Sequence, residues 1–333
     1  MNKSKKNAVL FPDNKNGIYL YEYPVINGIK QYVQVRGADR KNPLILFIHG
    51  GPGGSLAGLC HVLQADWEEK YTVANWDQRN ACKTFLANKD NAMKIAKTGT
   101  MEDFIKDIDE VIAYLHTVYD FDKIILMGFS WGTAIGSEYA KRHPENILCY
   151  IGVGQHINYT DGLYFVCSEL LKLAKGNTKD LSKIKEIEAS IPEEPKMTKE
   201  FMSKLRSFIV LGTKYISKNS KAFPLKALLA SPFLNFKEKT YMFKSDFSLH
   251  ERTIETMMTY DFRTNLSFDV PMLFVFGEED YNCPPELLKE CFDNISAPEK
   301  KMEIIPKAAH SCFYDKPQAF MEVITAFVDA LSN

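Results

Sequence analysis

The chain has 333 residues, 45% of them hydrophobic, seven cysteines and a formal net charge of −1. That is enough apolar material for one large α/β domain with an insertion, and the near-neutral, scattered charge gives no electrostatic footprint for nucleic acid. No stretch reaches the ~18 apolar residues that would cross a bilayer, and the apolar run 8–11 ends at Pro12, too short for an export signal. A cytoplasmic protein with no membrane association is expected.

In chain order, residues 17–23 and 30–36 are strand-like runs, joined through Asn27-Gly28, a dipeptide suited to a hairpin turn. Residues 44–48 form a continuous apolar run, and 71–76 a more mixed β-favouring one. Thr100-Met101-Glu102-Asp103 reads as a helix N-cap, followed by Phe104, Ile108, Val111, Ile112, Leu115 and Val118 at helical spacing. Residues 124–127 form another apolar strand, 133–142 a helix-permissive stretch and 147–153 a further strand. Strand and helix in alternation imply a parallel sheet covered on both faces.

The rhythm changes after residue 153. Residues 155–261 show lysine-rich helical fragments broken by Pro192, Pro195, Pro224 and Pro232, with many Phe and Tyr in the second half. We read an inserted, mainly helical cap over 155–261, with 1–154 and 262–333 forming the core. Alternation resumes with a strand at 272–276, a helix over 284–295, a short strand at 302–305 and a final helix from about Pro317. That last helix places Phe320, Val323, Ile324, Phe327, Val328 and Leu331 on one core-facing stripe. The fold class is α/β, a mostly parallel doubly wound sheet with a helical insertion.

The chemistry begins at Gly128-Phe129-Ser130-Trp131-Gly132, where an apolar strand breaks into a helix with a serine at the corner. Such an elbow projects the hydroxyl, and small flanking residues let strand and helix approach. A serine needs a base, and the base needs an orienting group. Reactive groups in a doubly wound sheet gather at the carboxyl ends of strands. Asp280 follows the 272–276 strand and His310 follows the 302–305 strand, whereas the other six histidines lack such a position or precede the elbow. Glu278 and Glu279 are alternative acids. The order Ser130, Asp280, His310 is the one α/β-hydrolases use.

A second motif, His49-Gly50-Gly51-Pro52-Gly53-Gly54-Ser55, ends the 44–48 strand. Its backbone N–H groups suit a developing oxyanion. It lacks the lysine of a phosphate-binding P-loop and does not fit G-x-G-x-x-G. Gly51 N–H and Trp131 N–H are the expected donors, although any glycine of 50–54 remains open for the first. The odd set of cysteines contains no C-x-x-C pair, against disulfides and structural zinc alike. We read free thiols, with Cys312, beside His310, singled out for reactivity. No metal or organic cofactor is expected.

Three motifs in order, HGGPGGS at 49–55, WDQR at 76–79 and GFSWG at 128–132, resemble the proline iminopeptidase family of α/β-hydrolases. The resemblance covers about 17–154 and 262–333, and includes Asp280 and His310 at the family's acid and base positions. It implies Ser130 as nucleophile, and His49, Gly50, Asp77 and Arg79 as supports of the site. Two departures stand out. Asn80-Ala81-Cys82-Lys83 replaces a glycine-rich stretch, so a stiffer or displaced loop is expected. The cap also contains no Trp, since the three are Trp67, Trp76 and Trp131, and so lacks the tryptophan-glutamate segment by which family aminopeptidases read a free amine. Glu169, Glu251 and Glu255 are the candidate substitutes, in a cap with more basic than acidic residues. The implied activity is a serine hydrolase acting through an acyl-enzyme on a small molecule or short peptide. The first reading is an aminopeptidase releasing N-terminal residues, the alternative a carboxylesterase on small apolar esters, and the third a non-catalytic ligand-binding protein of the same fold. Oligomeric state is open.

Overall fold

The computed structural model describes residues 3–194, 196, 198–243 and 247–331. Pro195, one of the expected helix breakers, lies outside them. An eight-stranded sheet forms the centre: β1 (Ile18–Glu22), β2 (Tyr32–Gly37), β3 (Leu44–Ile48), β4 (Thr72–Asp77), β5 (Ile124–Phe129), β6 (Ile147–Val153), β7 (Met272–Gly277) and β8 (Lys300–Ile305). Their spatial order is β1-β2-β4-β3-β5-β6-β7-β8. β1 with β2 and β2 with β4 are antiparallel, and the remaining pairs are parallel. The Asn27-Gly28 turn does not join β1 to β2 directly. It closes a separate ribbon, Val25–Ile26 with Ile29–Lys30, and both turn residues take positive φ, 47° and 78°, the geometry of a twist-compatible hairpin turn.

The long apolar runs are explained by burial on both faces. Along β3, Leu44, Leu46 and Ile48 enter one core cluster while Ile45 and Phe47 enter another, the period-two alternation of a strand between two layers. The first face is covered by α1 (Met101–Val118) and α2 (Trp131–Arg142). α1 starts at Thr100 with a reciprocal cap: Asp103 N–H donates to Thr100 Oγ1 at 3.2 Å, and Thr100 N–H to Asp103 Oδ2 at 3.0 Å.

Between β6 and β7 the described residues form helices α3 (Tyr159–Leu173), α4 (Thr178–Glu188), α5 (Lys199–Tyr215), α6 (Leu225–Ala230), α7 (Phe236–Met242) and α8 (Glu251–Thr259). The first three share a small core of their own, including Leu170, Ile184, Phe201 and Phe208. The two ends of this stretch run side by side, with Phe262 N–H donating to Ile157 O at 2.9 Å. After β7, α9 (Pro285–Phe292) completes the first face and α10 (Pro317–Leu331) covers the second through Phe320, Ile324, Phe327 and Val328.

The tightest contact is where α2 leaves β5. A Cβ on Gly132 would lie 2.1 Å from the Ile48 carbonyl oxygen and 2.8 Å from that of His49. At Gly136, one turn on, it would meet the Tyr150 ring at 3.2 Å and the Ile48 side chain at 3.5 Å, with the nearest backbone atom, Gly128 Cα, at an ordinary 3.9 Å. Overpacking against fixed backbone costs more than against movable side chains. Gly132→Ala is therefore expected to lose about 3 kcal/mol or more of stability, and Gly136→Ala to stay within about 1 kcal/mol, helped by helix propensity. Urea unfolding of the two variants checks this.

Candidate active site

Ser130 sits between β5 and α2 at φ 54°, ψ −123°, a conformation costly for a side-chain-bearing residue and tolerated where surroundings over-determine it. They do so here. Its N–H donates to Val153 O on β6 at 2.9 Å, and its own carbonyl accepts from Thr133 N–H at 2.8 Å and Thr133 Oγ1 at 2.6 Å. Gly50 passes so close that a Cβ there would lie 2.8 Å from Ser130 Cβ.

Asp280 and His310 form a close pair. His310 Nδ1 lies 2.9 and 3.0 Å from the two Asp280 oxygens, and the carboxylate is fully buried. Asp280 Oδ1 also accepts from the N–H groups of Asn282 and Cys283, each at 2.9 Å. The alternative acids point elsewhere. Glu278 accepts from Lys307 N–H, and Glu279 from Asn219. A Cβ on Gly154, which follows β6, would lie 3.1 Å from Asp280 Oδ2 and 3.2 Å from the His310 ring, so the pair stands directly over the backbone that receives Ser130 N–H one residue earlier.

Ser130 and His310 line one cavity of about 560 Å³ together with Gly50, Gly51 and Trp131. Among the hydrogen bonds of the described residues none joins Ser130 Oγ to His310, a spacing that catalytic pairs often show before substrate binds. Gly51 has φ 126°, and Trp131 opens α2. His49, Gly50, Asp77 and Arg79 hold this region in different ways. His49 is buried between a contact of Nδ1 with Gly50 O at 2.7 Å and the Gln78 N–H given to Nε2 at 3.2 Å. That arrangement puts the proton on Nδ1 and keeps the ring neutral. Asp77 receives Lys83 N–H at 3.0 Å and the Ser55 hydroxyl. Arg79 makes a forked pair with Asp107 of α1, both bonds 2.6 Å, and donates to Thr98 Oγ1 at 2.9 Å. Neither Asp77 nor Arg79 lines the cavity.

Gln78 is the residue that the motif reading passed over. Its amide donates to His49 O at 2.7 Å and accepts from the Trp131 indole at 3.2 Å, so it ties the glycine loop to the elbow. Its place inside WDQR was the available signal. Cys283 was missed as well; it lines the cavity, and its thiol, pushed well above the ordinary range by burial, bonds to Ser130. Cys312, singled out for reactivity, is instead fully buried in the core with its thiol pushed up too, which removes thiolate character. The expected loop change after WDQR takes the form of Asn80 at φ 55°, its amide donating to Ala92 O and Leu249 O, followed by a short helix, Cys82–Ala87.

The rest of the cavity wall is mainly apolar, with Leu163, Phe208 and Ile209 from α3 and α5, Ile254 and Met257 from α8, and Tyr281, beside the neutral polar groups of His156, Asn282 and Ser311. Among the described residues no Asp, Glu, Lys or Arg lines it. The candidate amine-binding acids are not there. Glu169 pairs with Lys172 at 2.6 Å and Glu255 with Arg252 at 2.8 Å, on exposed helix surface, and Glu251 is exposed as well.

Burial holds His49 and His156 down to about pKa 4 and raises Asp77 and Asp107 to about 6. The unfolded chain protonates its histidines from about pH 6.5, the folded chain only near 4. Their contribution is therefore complete above pH 6.5 and is lost as pH falls toward 4, by roughly 3 kcal/mol each. The two aspartates titrate with the opposite sign, so a difference between variants isolates the histidine. His156→Gln, which keeps a donor for Met257 O, is expected to lose less stability than wild type between pH 6.5 and 4 in urea unfolding.

Comparison with known proteins agrees with this architecture. A family model described as alpha/beta hydrolase fold matches residues 43–167. The chain is 25% identical over 320 residues to the probable aminopeptidase YbaC of Bacillus subtilis, covering 95% of this chain and 98% of that protein. Among solved structures it is similar to the proline iminopeptidase of Mycobacterium smegmatis, with TM-score 0.68, 16% identity and coverage of 94% and 98%. It is also similar to the carboxylesterase CesB of Bacillus subtilis, with TM-score 0.62, 16% identity and coverage of 97% and 95%. The chain has the α/β-hydrolase fold and is similar to the proline iminopeptidase group, as its motifs implied. Among the described residues no helix is long and apolar enough to cross a membrane.

Proposed function

We propose that this α/β-hydrolase is a serine hydrolase working through an acyl-enzyme, with the helical stretch 155–261 as a cap over a core formed by 1–154 and 262–333. The reading is carried by the Asp280–His310 pair standing over the same cavity as the elbow serine. Ser130 Oγ attacks the substrate carbonyl carbon and its proton passes to His310 Nε2. Asp280, on Nδ1, fixes the tautomer and stabilises the imidazolium. The carbonyl oxygen becomes an oxyanion held by the N–H groups of Gly51 and Trp131. The C–O or C–N bond then breaks, the leaving group takes the proton from His310, and a water activated by the same ring releases the acid and restores Ser130.

Two substrate classes are supported by different observations. Full-length similarity to a probable aminopeptidase supports release of an N-terminal residue from short peptides. The cavity wall, mainly apolar and without a carboxylate among the described residues, supports an ester of a small apolar acid, because an ammonium group buried there would lack a counter-charge.

A fluorophosphonate probe is expected to label wild type and not Ser130→Ala; folded wild-type protein that stays unlabelled would end the serine-hydrolase reading. Asp280→Asn is expected to keep the fold and lower kcat by about 10⁴ through loss of the correct tautomer. Turnover of aminoacyl naphthylamides against p-nitrophenyl esters then separates the substrate classes, and ester turnover alone counts against the peptidase.

A further inference from the structure

The active-site cavity has an annex. A second cavity of about 210 Å³ shares two lining residues with it, Leu56 and Ser311. Its walls come from three parts of the chain: Leu59 and Leu63 after the glycine loop, Phe313 and Tyr314 just beyond His310, and Phe223 and Pro224 from the insertion. The insertion is fastened over it. Ser217 Oγ donates to Glu279 O at 2.6 Å and Asn219 N–H to Glu279 Oε2 at 2.8 Å. Lys221 N–H donates to Asp315 Oδ1 at 2.7 Å, and its ammonium, the one charged group in the wall, is occupied by Tyr314 O at 2.6 Å and lies over the Tyr314 ring.

We infer that this annex receives an apolar leaving group: the alcohol of an ester, or the residue after the scissile bond of a peptide. The inference rests on the serine-hydrolase reading. With the oxyanion directed at Gly51 and Trp131, the departing atom must lie at His310, which gives it its proton. His310 lines the larger cavity, and the residues just after it, Ser311, Phe313 and Tyr314, line the annex, which therefore lies on the His310 side of that cavity. The larger cavity, walled by α3, α5 and α8, is left for the acyl group. An apolar chain entering the annex packs on Leu59 and Leu63 and removes its own surface and that of the exposed Phe223 from water.

The test is a set of n-alkyl esters, methyl to hexyl, of one fixed acid, beside dipeptides with one fixed first residue and Gly, Ala, Leu or Phe second. In wild type, kcat/KM is expected to rise with leaving-group size by up to about fourfold per buried methylene until the annex is full. Leu63→Trp, which fills the annex, and Phe223→Ala, which removes an exposed outer wall with little risk to folding, should both flatten that rise. Fluorophosphonate labelling, turnover of the methyl ester and a series of methyl esters of longer acids should stay unchanged in both. A rise in either series supports the inference and names the occupant as alcohol or amino-acid residue. A wild-type profile flat in both series, or variants that alter the acid series instead, would overturn it. Absence of labelling in wild type would instead sink the serine-hydrolase reading beneath it.

Discussion

The site depends on one close approach of backbone to backbone. The first turn of α2 lies so tightly against the carbonyls of Ile48 and His49 that no side chain fits at Gly132. That contact sets the elbow serine beside the glycine loop. Hydrogen bonds then lock the register: Gln78 holds His49 from two sides and takes the Trp131 indole, while His49 turns its other nitrogen on Gly50. The two segments proposed to surround an oxyanion are thereby positioned by a third that touches neither the cavity nor any substrate. Van der Waals contact supplies the distance, and buried hydrogen bonds, expensive to leave unmade, supply the direction.

Charge is kept behind the site and out of the cavity. The forked Arg79–Asp107 pair, the Lys83–Glu238 pair at 2.8 Å and the Asp77 carboxylate are all buried in the supporting layer. The cavity wall itself presents aromatic and aliphatic groups with a few neutral polar ones. His156, on that wall, is kept neutral by burial. For the proposed reaction, such surroundings leave a developing negative charge on a substrate oxygen few competitors for the backbone N–H dipoles, and low polarizability around them strengthens the interaction. On the proposed reading, the same neutrality leaves shape and apolar area to discriminate between substrates.

Much of the fold was legible because the signals were local. The runs at 44–48, 124–127, 147–153 and 272–276 became β3, β5, β6 and β7, since a strand buried on both faces must be apolar throughout. The cap at Thr100 and the stripe from Phe104 gave α1. What could not be read was anything that depends on pairing across the chain. Gln78 has no pattern of its own; its role exists only because β4 brings it beside His49. Cys312 looked reactive from its distance in sequence to His310, but a short helix, Cys312–Asp315, turns it into the core, and Cys283, close to Asp280 in sequence but far from the elbow, is the thiol that meets Ser130. The Asn27-Gly28 turn was recognised as a turn, but the strands it joins are two residues each, too short to carry periodicity.

The insertion's attachment to the acid and base loops is the last consequence of this arrangement. Asp315, buried beneath the base, accepts from Ala309 N–H at 2.8 Å with one oxygen and from Lys221 N–H at 2.7 Å with the other. Glu279, beside the acid, accepts from Asn219. One carboxylate thus bridges the residue before His310 and the chain that roofs the annex, and a second ties that roof to the residue before Asp280. Because both bonds go to one carboxylate, a displacement of the roof at Lys221 strains the same side chain that holds the backbone at Ala309. The roof of the proposed annex and the backbone just before His310 thus share one side chain as their common anchor.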